Sequence, residues 1–305
     1  MSTLHVLMPP LAHADDDHAF QHWLARGDRL TDVRNARATV LREQFHFAGD
    51  AIPAAALRHH CHASDAATGT WLCADPAYVR GEATGARLMA WPIDDITPAE
   101  ADEFAATLRP LLGDAGVPLA VDTPSEWCVR SAGVASRAGF VHPDDALGVD
   151  LIECLPGGDT GRKWRHLFNE AQIALHAHPA NAARVAAGKR PVNALWFWGE
   201  GSLPGSVDTA LCTVASCDEV LRGLAKMAGA VRVEPLPGAL EASGTGGDAL
   251  LDLGMPDNRD LAGQWLSPFR RWLRESRFDM IALVFATGER IRMRHAHRLR
   301  FWRRP

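Results

Sequence analysis

Pro179 sits inside a polar-rich stretch, Trp164–Gly201, and limits what that stretch can fold into. Its ring lacks a backbone donor and crowds His178, so a helix arriving from the N-terminal side must stop there. Before it, Trp164, Leu167, Phe168, Ala171 and Leu175 recur at helical spacing as an apolar stripe. Arg165, Asn169, Gln172 and His176 share a second, polar face of the same helix. Asn181 and Arg184 follow in a short second helix that Gly188 closes, and Pro191 starts an extended segment. Asn193–Trp198 is short and apolar, the pattern of a buried strand, and Gly199-Glu200-Gly201 predicts a sharp backbone turn at its end. Ligands of open α/β sheets bind at strand ends. The candidate substrate-binding residues are therefore Arg165, Asn169, His176, His178, Asn181, Arg184, Asn193, Gly199 and Gly201. The alternative is plain helix–sheet packing with a solvated polar face.

Elsewhere strands and helices alternate. Leu4–Met8 predicts a first strand, and Asp15, Asp16 and Asp17 suit the start of a helix carrying Phe20, Trp23 and Leu24. A helix is expected over Thr31–Phe47. Strands are expected at Trp71–Ala74, Arg87–Trp91, Val117–Val121 and Glu126–Val129, with a helix capped by Thr97 among them. His59-His60-Cys61-His62 with Cys73 lacks the paired spacing of structural zinc sites and reads as a polar helix end. Leu155–Gly161 is linker-like in composition. A boundary there divides the chain into 1–155, an N-terminal α/β region, and 156–305; one intertwined domain is the alternative. Further on come a strand at Thr209–Ala215, a helix at Asp218–Met227 stopped by Gly229, and a strand at Val231–Glu234. The glycine-rich run Ala242–Asp248 lacks the lysine of a phosphate-binding loop and reads as a turn. A long amphipathic helix over Asp257–Ser276 and a buried strand over Phe278–Ala286 complete the pattern.

Composition narrows the function classes. In 305 residues, 47% are hydrophobic and 23% charged, as in globular proteins. The net charge of −5 gives no global attraction to nucleic acid, although residues 290–305 hold seven arginines and no acid. Arg290-Ile291-Arg292-Met293-Arg294 predicts an edge strand protected from aggregation by its charges. Six scattered cysteines do not form a disulfide framework. No apolar stretch approaches membrane-spanning length, and Met1–Pro10 lacks the features of a signal peptide, so cytoplasm is the expected compartment.

The run His178-Pro179-x-Asn181-x-x-Arg184, then Gly188-x-x-Pro191-x-Asn193-x-x-Trp196-x-Trp198-Gly199-x-Gly201, resembles the archaeal-type cofactor-independent phosphoglycerate mutases. Leu221–Ala225 with Gly229 looks like a further block of that family. Trp71–Pro76 and Glu126-Trp127 look like a narrower bacterial group, the RpfE-type regulatory proteins. The resemblance implies an α/β fold of the alkaline phosphatase superfamily, a mixed sheet flanked by helices, here with an N-terminal α+β portion. In the active mutases two metal ions and a serine shuttle a phosphoryl group between hydroxyls. This chain departs at those places. Its first strand ends in Leu7-Met8-Pro9-Pro10 without an Asp-Gly, and Ala286-Thr287-Gly288-Glu289 stands where an Asp/His motif is expected. The expectation is a binding or regulatory protein without mutase catalysis, with no catalytic residue, metal or cofactor. Its expected ligand is a small phosphorylated or carboxylated metabolite. One alternative is a metal-dependent mutase or phosphatase with rearranged ligands from Asp15, Asp16, Asp17, Asp248, Asp252, Asp257, His295 and His297. Another is a protein-interaction module using the arginine-rich C-terminus.

Overall fold

Two β-sheets, one mixed and one antiparallel, organise the chain, and each belongs to its own compact unit. The computed structural model describes every residue except 1, 15–16, 84, 132–138, 244–245, 255–261 and 304–305. One unit joins Met1–Ala48 to Gly205–Pro305, and the other is Gly49–Pro204. The linker-like Leu155–Gly161 lies inside the second unit.

The first unit begins with β1 (Thr3–Met8), α1 (His18–Ala25), β2 (Asp28–Leu30) and α2 (Ala36–Gln44). The second unit opens with α3 (Ala54–His62), β3 (Thr70–Glu82), β4 (Gly85–Ala90), α4 (Pro98–Asp114), β5 (Leu119–Val121) and β6 (Trp127–Ser131). It continues through α5 (Pro143–Ala146), α6 (Leu151–Cys154), α7 (Gly158–His176), α8 (Pro179–Ala186) and β7 (Ala194–Ser202). The chain then returns to the first unit with β8 (Leu211–Ala215), α9 (Glu219–Ala228), β9 (Val231–Val233) and α10 (Pro237–Ala242). It ends with β10 (Asp248–Asp252), α11 (Ser267–Arg274), β11 (Met280–Phe285) and β12 (Arg290–Met293).

The sheet of the first unit has the order β2-β12-β11-β1-β10-β8-β9. β1 runs parallel to β10 and β11, while β12 and β2 close one side antiparallel. This is the expected mixed sheet with helices against it. Alternation along β1 places Leu4, Val6 and Met8 in a core with Phe20 and Trp23 of α1 and Phe269 and Trp272 of α11. Trp23 and Phe269 stack with centroids 5.7 Å apart. Each such aromatic removes about 150–250 Å² from water, worth at most about 4–6 kcal/mol by area transfer.

Local signals set several boundaries. Asp17 caps α1 by accepting from Phe20, Thr97 and Glu100 form a capping box at α4, and Gly229 ends α9 in the left-handed conformation. Other expectations need correction. The arginine-bearing strand is not an edge: β12 is bonded by β11 on one side and β2 on the other. Ile291 and Met293 enter the core, and Arg290 pairs with Glu43 at 2.9 Å. β2 was invisible because three residues, Asp28-Arg29-Leu30, carry no periodic pattern. The helix expected over Thr31–Phe47 starts only at Ala36, after Asn35 turns the chain with φ of 49°. Of the helix expected over Asp257–Ser276, α11 covers Ser267–Arg274, and 257–261 lie outside the described residues.

In the second unit the named strands pair antiparallel. The long β3 is the hub: β6 and β7 pair with its first half and β4 with its second. β7 does not turn at Gly199-Glu200-Gly201 but continues to Ser202, with an irregularity opposite Leu72 that Gly199 absorbs at φ of 64°. A Cβ on Gly201 would lie 2.4 Å from Cβ of Pro53, and one on Gly199 2.8 Å from Cβ of Ala54. The glycines thus let the start of α3 lie against β7.

Asp75, at the middle of β3, fastens this unit. It is 1% exposed, and its carboxylate accepts both Nη atoms of Arg58 at 2.9 Å. It also accepts Nε1 of Trp91 at 3.0 Å, Nε1 of Trp198 at 2.8 Å and the backbone N–H of Trp127 at 3.1 Å. Breaking a buried ion pair by removing one partner costs about 3–5 kcal/mol. Asp75→Ala is expected to lower unfolding stability in urea by that amount. A loss below about 1 kcal/mol would show that the carboxylate is not the tie described here. Gly201→Ala is expected to cost about 1–3 kcal/mol through overpacking on Pro53. Gly113→Ala, with no atom within 4 Å of the added carbon, is the matched control and should cost nothing.

Candidate functional site

The residues predicted as ligand contacts lie on α7, α8 and β7, and most are bonded to the chain itself. Asn181 is buried; its Nδ2 donates to the carbonyls of Leu175 and Val192 at 2.7 Å, and its Oδ1 accepts from Val192 N–H at 2.8 Å. Asn193 completes the β3 edge by accepting from Val79 N–H and donating to Val79 carbonyl, both at 2.8 Å. Arg184, 1% exposed, donates to the Arg190 carbonyl at 2.8 Å and pairs with Glu100 at 3.1 Å and with Asp95 at 2.5 Å. Arg165 donates to the carbonyls of Pro156 and Gly158 at the start of α7. His178 caps α8 by accepting from Ala180 N–H at 3.2 Å. Asn169 and His176 are exposed on α7. The structure therefore brings Asn181, Arg184 and Asn193 to the joints between α8, its neighbours and β3.

A different polar cluster stands at the carboxyl ends of the parallel strands of the first unit. β8 and β10 are adjacent, and their last residues, Ala215 and Asp252, lead into Ser216 and Leu253. The Asp252 side chain is fully buried. Its Oδ2 accepts from Ser216 Oγ at 2.9 Å and from Arg37 at 3.2 Å, and its Oδ1 from Gly254 N–H at 3.1 Å. Asp218 caps α9 through Leu221 N–H at 2.8 Å and pairs with the same Arg37 at 2.9 Å. Ser216 Oγ accepts from Asp218 N–H at 2.9 Å, closing the ring of contacts. Burial opposes the Arg37 charge, but the two carboxylates outweigh it and raise its pKa further. Beside them Cys217 donates to Glu234, and burial with that carboxylate pushes its thiol up to about 11. One guanidinium is thus fixed by two carboxylates where such sheets receive ligands.

Arg37 was missed by sequence reasoning, because nothing in the spacing of 37, 218 and 252 joins them. Asp252 had a signal: it directly follows the apolar run Ala249-Leu250-Leu251. Of the other leftover candidates, Asp248 starts β10, away from Asp252, and accepts from Thr3 N–H at 2.7 Å. His297 is buried 3.3 Å from Asp28, and burial lowers its pKa. Asp15, Asp16 and Asp257 lie outside the described residues. If Asn181 is a structural clamp, Asn181→Ala leaves the buried N–H and carbonyl of Val192 without partners, at about 1–3 kcal/mol each. The Leu175 carbonyl keeps the N–H of His178. The expected result is a loss of at least about 2 kcal/mol in urea unfolding; unchanged stability would remove the clamp role.

No family model matches the chain. The 2,3-bisphosphoglycerate-independent phosphoglycerate mutase of Methanothrix thermoacetophila is 33% identical over 149 residues, 47% of this chain and 37% of that protein. The enzyme of the same name from Methanosarcina barkeri is 42% identical over 62 residues, 20% of this chain and 16% of that protein. The chain thus matches well under half of the length of these curated relatives. Among solved structures, a cofactor-independent phosphoglycerate mutase from Thermoplasma acidophilum aligns over 95% of this chain and 88% of its own, at 16% identity and a TM-score of 0.43. A protein from Pyrococcus horikoshii aligns over 95% and 86%, at 12% identity and a TM-score of 0.48. By sequence, over part of its length, the chain is related to the 2,3-bisphosphoglycerate-independent phosphoglycerate mutases.

Proposed function

We propose that the chain is a phosphoglycerate-mutase-like binding or regulatory protein that holds a small phosphorylated or carboxylated metabolite and does not carry out the mutase reaction. Arg37 is the observation that carries this reading. Two-metal phosphoryl transfer requires carboxylates and imidazoles free to hold cations at the entering and leaving oxygens. At the strand ends of the first unit, Asp218 and Asp252 share a guanidinium at 2.9 and 3.2 Å instead. That donor set does not fit a two-metal centre, since a fixed cation already engages both carboxylates. A guanidinium offers an oxyanion hydrogen-bond donors but no Lewis acidity, and with its charge already met by Asp218 and Asp252 it must act together with further donors. Its side chain is 35% exposed, so an anion can reach it. In the second unit, exposed Asn169 and His176 remain candidate contacts. The regulatory role implied by the RpfE-type resemblance agrees with binding retained and transfer lost.

A second reading has its own support. Leu299, Phe301 and Trp302 are 63%, 77% and 66% exposed beside the C-terminal arginines, which suits a protein partner. A partner captured only by chains that retain residues 290–305 would favour it.

Calorimetry with phosphoglycerates is expected to show binding between millimolar and micromolar, as about three charged contacts allow. Arg37→Ala should weaken it at least about tenfold, the loss of one charged hydrogen bond. In a coupled mutase assay with manganese, cobalt or zinc, turnover should stay below about 1 per second, the low end of ordinary enzymes. Faster turnover, or binding indifferent to Arg37→Ala, overturns the proposal.

A further inference from the structure

His59, Asp122 and Cys128 come together inside the second unit from three separate places. His59 is in the last turn of α3, Asp122 follows β5, and Cys128 lies within β6. The side chains of His59 and Asp122 are 5% and 6% exposed, and Cys128 is 2% exposed. His59 Nδ1 lies 2.7 Å from Asp122 Oδ1 and 3.5 Å from Cys128 Sγ. Cys128 Sγ lies 3.5 Å from Asp122 Oδ2. One nitrogen, the two oxygens of one carboxylate and one sulfur therefore converge, with a ligand atom of each residue within 4.8 Å of the others.

A tetrahedral zinc ion has bonds of about 2.0–2.3 Å, which set its ligand atoms about 3.3–3.6 Å apart. The sulfur separations, to Nδ1 and to the carboxylate's Oδ2, already match, while the other oxygen, Oδ1, makes the short contact to Nδ1. The Nδ1–Oδ1 separation must widen by about 0.6 Å, which is what exchanging a shared proton for an ion requires. An independent feature lies on the far side of the ring. His59 Nε2 is 3.0 Å from Asp65 Oδ1. A zinc-ligating histidine nearly always gives its other N–H to a carboxylate or carbonyl, which fixes the ring and its tautomer. Here that partner is in place, and Trp71 packs on the ring with centroids 3.9 Å apart. The two charges of the ion replace the Nδ1 proton and the thiol proton, so a buried cluster takes the metal with little change in charge. Nitrogen, thiolate and carboxylate together favour zinc over magnesium or calcium.

We propose that His59 Nδ1, Asp122 and Cys128 Sγ form a zinc site, with Asp65 orienting the imidazole from behind. The site joins α3 to β6 and the turn before it. It shares no residue with the strand-end cluster of the first unit, so its success or failure leaves the metabolite-binding reading untouched.

The test uses the full chain carrying Cys61→Ser, Cys212→Ser and Cys217→Ser, which removes the thiols outside the core. Cobalt(II) titration should give one equivalent with a thiolate-to-cobalt charge-transfer band and tetrahedral ligand-field bands, displaced by zinc. Zinc should also raise the thermal midpoint, and a chelator should reverse it. Cys128→Ser should abolish the charge-transfer band. Asp65→Asn, at a side chain that is 52% exposed and safe for folding, should weaken zinc affinity about 10- to 100-fold. Absence of the cobalt spectrum, a charge-transfer band that survives Cys128→Ser, or zinc affinity unchanged in Asp65→Asn each overturns the proposal. If Cys128→Ser does not fold, the titration of the parent and Asp65→Asn decide.

Discussion

The Asp75 carboxylate is the interaction on which the second unit depends. A buried carboxylate is tolerable only when its charge is paired and its lone pairs are filled. Five donors reach it, from Arg58, Trp91, Trp198 and the backbone of Trp127. They come from α3, the residue after β4, β7 and β6, so one side chain of β3 ties four other parts of the unit to the hub strand. The tryptophans have a specific use here. An indole N–H donates and cannot accept, so it serves a carboxylate without leaving a new lone pair unpaired, as a tyrosine hydroxyl would. Two of the chain's ten tryptophans, which composition alone left without a role, are explained this way.

The first unit handles buried charge differently. Asp252 also lies fully buried, but its partner Arg37 is shared with Asp218 and remains about one-third exposed. Two carboxylates offset the one guanidinium at the ends of the parallel strands, so an anion held there needs donors beyond Arg37. In Asp75 every acceptor is satisfied from within, which makes a structural knot. In the Arg37 cluster the cation is fixed yet reachable, which is the condition for a site.

How much was legible follows from which interactions are local. Asp17, Thr97, Asp218 and Gly229 set helix ends through neighbours a few residues away, and their sequence signals led to the observed caps. The strands β1, β7, β8 and β11 were legible because buried strands need unbroken apolar runs. β2 was not, since its pairing with β12 joins residues some 260 positions apart through backbone groups that leave no side-chain pattern. Arg37 was illegible for the same reason. The histidines at 59–62 were visible as possible ligands, but the partners that fold to His59 are Asp122 and Cys128, not the nearby Cys73.

The stretch Trp164–Gly201 shows why a motif of polar residues and glycines does not by itself report chemistry. Asn181 and Asn193 imitate backbone: each side chain accepts an N–H and donates to a carbonyl where no strand or helix partner exists. Arg184 closes the loop after α8 through Arg190 and fastens it to Asp95 and Glu100. Gly201 and Gly199 clear space for Pro53 and Ala54. Each of these residue types is demanded by the fold, since alanine at the asparagines would strand buried backbone groups and a Cβ at the glycines would collide. A likeness to the mutases in such a stretch therefore reports the fold and does not by itself report the chemistry. The residues that decide between binding and transfer have to be sought where charge is held and exposed together, at Arg37 and the two aspartates that grip it.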